Sequence, residues 1–180
     1  MRALLDACVL YPTVMREVLL GVARRGLFRP LWSARILEEW ARAAARPGGG
    51  GEAVARGEIA LLRAAWPGRE VADDPVREAA LYLPDPADRH VLAAAIAGGA
   101  EVIVTLNLRD FPARVLAGHG LRAAHPDAFL RALFAQDPEA VRAAGEEVRA
   151  EAERLAGEPW EMRRLMKKAG LPRLGKALAG

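Results

Sequence analysis

An α/β fold with a central parallel sheet flanked by helices is predicted for residues 1–125, followed by a helical extension over 126–180. Three observations predict it. Ala3-Leu4-Leu5 and Val102-Ile103-Val104 are short, uninterrupted apolar runs, the pattern of strands buried on both faces. Segments with apolar residues at helical spacing lie between and around them, and alternation of the two kinds implies a parallel sheet. After Pro126 the pattern becomes purely helical, which marks the extension.

The elements follow in order. Residues 2–6 read as the first strand. Tyr11 to Arg25 reads as a helix, because Val14, Val18, Leu19 and Val22 repeat at helical spacing, Pro12 suits its first turn and Gly26 ends it. Ser33 is the expected N-cap of a second helix whose apolar face is Ile36, Leu37, Trp40 and Ala44. Pro47 and Gly48 to Gly51 predict a flexible loop. A helix carrying Ile59, Leu62 and Trp66 comes next, then a short strand at Val71 and a helix from Val76 to Leu83. Asp85-Pro86 opens a helix running to about Ala97, closed by Gly98-Gly99. Glu101 to Leu106 is a strand, Asn107 to Pro112 a loop, Ala113 to Ala117 a short helix and Leu121 to Ala124 a last strand. In the extension, Phe129 to Phe134, Val141 to Leu155 and Trp160 to Lys168 are helical.

Composition narrows the class. Of 180 residues 52% are hydrophobic and 27% charged, which gives a substantial core and excludes a disordered chain. No apolar stretch is long enough to span a bilayer, and a charge at position 6 interrupts any signal peptide, so a cytoplasmic location is expected. One cysteine, Cys8, excludes an internal disulfide, and without clustered His or Cys a zinc site is not expected. Cys8 reads as a small core residue. The net charge of +3 is compatible with a nucleic-acid partner. All three lysines, Lys167, Lys168 and Lys176, lie near the end of the chain, where six basic residues face two acidic ones from Glu158 onward.

Four acids carry the candidate chemistry. Asp6 ends the first strand, where a buried carboxylate is costly unless a cation meets it, and ligands collect beyond the carboxyl ends of parallel strands. A cap on the Tyr11 helix would be too far from that helix's first turn, and a surface residue is the other plain reading. Glu39 flanks the apolar face of its helix, whereas Glu38 points to solvent. Asp85 suits an N-cap, while Asp88 shares the inward stripe of Val91, Leu92 and Ala95. Asp110 follows the Val102 strand at the same sheet edge as Asp6, with a cap on the next helix as its alternative role. Thr105 and Asn107 can hydrogen-bond to metal-bound waters or serve as loop polar groups. Crowded carboxylates suit Mg²⁺ or Mn²⁺, which activate water and stabilise a leaving oxygen in phosphodiester cleavage. His90 is expected to face away from Asp88, and neither it, His119 nor His125 is a strong ligand or catalytic candidate.

Leu4-Leu5-Asp6-Ala7-Cys8-Val9-Leu10-Tyr11-Pro12, Ile36-Leu37-Glu38-Glu39-Trp40, Pro84 to Ala95 and Val102 to Pro112 together resemble the PIN domain, especially the VapC-type ribonuclease toxins of bacterial toxin–antitoxin pairs. The resemblance covers about residues 1–125. It implies a PIN-like three-layer fold and a Mg²⁺ or Mn²⁺ site in which Asp6, Glu39 and Asp88 match the main acidic residues. Asn107 stands where many members carry aspartate, so that either Asp110 serves instead or Asn107 holds a water. The implied activity is RNA hydrolysis leaving a 5′-phosphate and a 3′-hydroxyl. Asp6, Asp88 and Asp110 would hold the ion, Glu39 would bind it or orient the attacking water, and Thr105 and Asn107 would lie around it. An RNA substrate, a cognate protein antitoxin and a homodimer are the implied partners. The helices after Pro126 lie outside the common core. They could pack on the sheet domain, contact RNA through Arg163, Arg164, Lys167 and Lys168, receive the antitoxin, or simply extend the structure.

Other readings fit less well. A haloacid-dehalogenase-type phosphatase wants a second aspartate at position 8, where Cys8 stands, and a response-regulator receiver wants a lysine that residues 1–125 lack. A non-catalytic RNA-binding or assembly module with a degenerate site is the remaining alternative, left open by Asn107.

Overall fold

The computed structural model describes residues 1–45 and 50–180. The chain runs β1 (Arg2–Leu5), α1 (Ala7–Leu10), α2 (Thr13–Arg24), β2 (Arg29–Ser33), α3 (Ala34–Ala44), α4 (Gly51–Ala65), β3 (Glu70–Val71) and α5 (Pro75–Ala80). A 3-10 turn (Pro86–Asp88) leads into α6 (Arg89–Ala97), β4 (Val102–Val104), a second 3-10 turn (Leu108–Asp110), α7 (Ala113–Ala117) and β5 (Arg122–Ala124). Four helices follow: α8 (Pro126–Gln136), α9 (Pro138–Ala156), α10 (Met162–Lys168) and α11 (Pro172–Ala179). The predicted Pro47, Gly48 and Gly49 loop lies outside the described residues, and α4 begins after Gly50, whose φ of 95° suits glycine.

The contacts divide the chain into two compact units, Met1–Tyr11 with Pro30–Ala124, and Pro12–Arg29 with His125–Gly180. The first unit holds a five-stranded parallel sheet flanked by helices, in the order β3-β2-β1-β4-β5. Strand order reverses between β1 and β4, and such a switch point opens a crevice at the carboxyl ends of the strands. Leu5 pairs with Val104, so Asp6 and Thr105 emerge side by side at that edge. The central strands β1 and β4 are apolar because both faces are covered: Leu4, Leu5, Val102, Ile103 and Val104 have no exposed surface. Helix α6 is buried nearly all round, from His90 to Ala95, and ends at Gly98-Gly99 as the sequence predicts. A side chain at Gly98 would meet Leu31 and Val71 at 2.9 Å, so the glycine lets this turn close on the sheet. Ser33 caps α3 by accepting from the Ile36 N–H at 3.3 Å, and Ile36, Leu37 and Trp40 are buried. Arg56 of α4 bonds Glu38 of α3 at 2.9 and 3.0 Å, and with Arg42 it holds that exposed carboxyl low, at about 2.

The second unit is helical. Helices α2 and α9 approach so closely that a Cβ on Gly21 would lie 3.2 Å from the Ala144 Cβ. Phe28 and Phe129 pack edge to face with centroids 5.0 Å apart. Asp127 of α8 is buried and accepts the Arg173 and Leu174 backbone N–H groups of α11 at 3.0 and 2.9 Å.

Three elements depart from the sequence reading. Strand β2 escapes it because Arg29-Pro30 reads as a break, although proline is tolerated near a strand start. Helix α1 is a single turn, below the length at which periodicity is visible. Helix α11 was not expected; its buried residues are Leu174 and Gly175.

Candidate metal centre

Asp6 stands directly after β1 and caps α1, its Oδ1 accepting from the Ala7 N–H at 2.7 Å. The Thr105 hydroxyl donates to Oδ2 at 2.7 Å and the Cys8 thiol lies 3.2 Å from the same oxygen. Three neutral donors therefore meet this 7% exposed carboxylate. A cation is not required to keep it in place, which corrects the argument from burial alone. Asp6 does cap a helix, but that helix is α1, invisible in the sequence, and not the one expected from Tyr11.

Thr105 is fully buried and its hydroxyl is fixed from both sides. It donates to Asp6 and accepts the Asn107 N–H at 3.0 Å. Asn107 is exposed and opens the turn that carries Asp110, which is half-buried. Asp110 does not cap α7, since Pro112 occupies that position without a side-chain bond.

Asp88 ends the 3-10 turn, and Asp85 caps that turn through the Ala87 N–H at 2.8 Å, as the sequence predicts. Desolvation, then the charges of Asp6, Asp110 and Asp85, push the Asp88 carboxyl up to about 6; His90 offsets a part. Asp88 thus lies within electrostatic reach of both Asp6 and Asp110. Among the described residues, however, no three His, Cys, Asp or Glu side chains converge tightly enough to form a complete ion site.

The raised Asp88 group carries a prediction for the metal-free protein. Between about pH 4 and 6 the folded state binds a proton that the unfolded state has released, so stability falls as pH rises through this window. Asp88→Asn is expected to flatten that fall and to raise the thermal midpoint at pH 7 in the presence of EDTA. An unchanged pH profile would show that the Asp88 carboxyl is not raised in the folded protein.

Glu39 is half-exposed on α3 and meets His90: Oε1 lies 2.8 Å from Nε2 and 3.9 Å from the Arg35 Nε. His90, expected to face elsewhere than Asp88, finds its polar partner in Glu39. The chain passes from a 3-10 turn to an α-helix between Asp88 and His90, so the regular 100° step between residues does not apply. Cys8 was also missed. Burial and Asp6 push its thiol up to about 12, so it stays protonated, and its sulfur accepts the Leu106 N–H at 3.3 Å. Its role depends on α1 bringing position 8 back toward position 6, which the sequence does not announce.

The donor set fits a hard divalent cation in kind: carboxylates of which one is raised by burial and by the charges of its neighbours, set at a crevice rather than in the core. No helix among the described residues is long and apolar enough to cross a membrane.

"Putative ribonuclease VapC50" of Mycobacterium tuberculosis (strain ATCC 25618 / H37Rv) is 58% identical over 43 residues, which is 24% of this chain and 25% of that protein. The chain thus spans about a quarter of the length of the curated relative it matches. No solved structure matches. The PIN domain family model matches residues 2–109, which span β1 to the Asn107 turn and include Asp6, Glu39, Asp88, Thr105 and Asn107. By that match, the chain belongs to the PIN domain family.

Proposed function

We propose that this protein is a Mg²⁺- or Mn²⁺-dependent endoribonuclease, the toxin of a toxin–antitoxin pair restrained by a protein antitoxin. The observation that carries the reading is the crowding of Asp88 by Asp6 and Asp110 at the carboxyl ends of β1 and β4. Membership of the PIN domain family and the ribonuclease name of the mycobacterial relative support it.

Asp6, Asp88 and Asp110 are the residues to hold the ion, with Glu39 binding it or orienting the attacking water. A divalent ion bound there supplies an activated water and stabilises the leaving oxygen of the phosphodiester. The chain's own part is positional. Thr105 and Cys8 orient the Asp6 carboxylate from behind, and the backbone bond from Asn107 to Thr105 ties the Asp110 turn to the same hydroxyl. Arg109, exposed beside Asp110, and the basic residues of α10 are candidates for phosphate contacts, which would make binding weaken as salt rises. A homodimer and a cytoplasmic location belong to the same reading.

Purified protein incubated with total RNA is expected to give discrete fragments with Mn²⁺ or Mg²⁺, and none with EDTA. A folded protein that neither cleaves RNA nor binds Mn²⁺ would instead favour the alternative, a non-catalytic RNA-binding or assembly module.

A further inference from the structure

We propose that His90 is a positioning residue, holding the Glu39 carboxylate through their 2.8 Å contact in the orientation from which Glu39 serves the acidic site at Asp88. The inference rests on the ribonuclease reading above and adds to it a residue outside the acidic set.

Four observations carry it. His90 is 4% exposed, on a helix buried along most of its length, so the ring is fixed by packing. Its Nδ1 is buried without a hydrogen-bond partner among the described residues, which leaves the Glu39 contact as the polar engagement that orients the ring. A buried imidazole with an orphaned nitrogen is a poor filler, since an apolar side chain of similar size would occupy the space without that cost. Function is the better reason for a histidine there.

Glu39 needs such a tether. It is 39% exposed on a long, rotatable side chain, and ordering it costs conformational entropy. Its other neighbour, Arg35, lies 3.9 Å away, is itself exposed and bonds Glu78 at 2.9 Å, so its hold on Glu39 is weak. His90 is buried where Arg35 is exposed and engaged elsewhere. It also sits two residues beyond Asp88 and close enough to act on that carboxylate's charge. One ring therefore links a carboxylate on α3 to the turn that carries a carboxylate before α6.

The test compares His90→Gln with His90→Asn, alone and in a Glu39→Gln background. Glutamine carries its amide nitrogen near the place of Nε2, whereas asparagine reaches only the place of Nδ1. Three quantities are read: Mn²⁺ affinity from the electron paramagnetic resonance of free Mn²⁺, kcat and KM on one RNA, and the thermal midpoint. His90→Asn is expected to weaken Mn²⁺ binding and lower kcat by about tenfold or more, the range for residues that orient ligands, with KM little changed. His90→Gln should recover most of both. In the Glu39→Gln background the difference between the two should vanish, because His90 acts through Glu39. Wild-type behaviour in folded His90→Asn, or equal losses with and without the Glu39 carboxylate, would overturn the inference alone. Absence of Mn²⁺ binding and cleavage in the unmodified protein would overturn it together with the ribonuclease reading.

Discussion

Asp6→Asn is expected to lower metal-dependent RNA cleavage by about 10³-fold while the protein remains folded, a loss of several kcal/mol of transition-state stabilisation. The choice of asparagine follows from the geometry. Its carbonyl oxygen can still accept the Ala7 N–H, and asparagine caps helices as well as aspartate does, so α1 persists. The second oxygen, which now accepts from Thr105 and faces Cys8, becomes an amide that donates to the threonine hydroxyl instead. What is lost is the negative charge at the crevice. Cleavage of an end-labelled RNA in Mn²⁺, run beside a thermal melt, measures both halves of the expectation. Undiminished cleavage by a folded variant would remove Asp6 from the site.

The second large effect is on stability. Asp127→Ala is expected to cost about 3 kcal/mol, two charge-assisted hydrogen bonds and the desolvation of their donors. The count at the start of α11 explains why. Pro172 has no N–H, and Gly175 N already bonds the Leu171 carbonyl at 2.9 Å. That leaves the Arg173 and Leu174 donors, and Leu171 at the cap position has no side chain able to take them. The Asp127 carboxylate, reaching from α8, accepts both, and its charge also suits a helix N-terminus. Asp127→Asn should recover less than half of the loss, because one of its two heavy atoms is a donor facing a donor. Urea denaturation followed by circular dichroism reads both variants. A midpoint unchanged in Asp127→Ala would show that α11 is not held in this way.

The centre of the sheet was legible because β1 and β4 are short apolar runs and the neighbouring loops carry glycine or proline. The same rule hid β2, where Pro30 interrupts the pattern. Asp85 as a cap was readable from Asp-Pro alone, since local chemistry decides it. The contact between His90 and Glu39 was not readable, because it joins two helices 51 positions apart in sequence and depends on a change of helical pitch after Asp88. Cys8 was read as inert filling for a similar reason: its neighbours, Asp6, Thr105 and Leu106, meet only when β1 lies beside β4.

The helical unit is assembled from two stretches of chain that are far apart in the order of synthesis. Gly21 of α2 meets Ala144 of α9, so the earlier helix leaves the ribosome long before its neighbour exists. Non-local pairing of this kind is slow to form and leaves apolar surface open while it waits. A nascent chain that stalls before α9 would carry α2 with this contact unmade, a target for chaperones and proteases. Completion of this unit therefore waits until translation has passed α9.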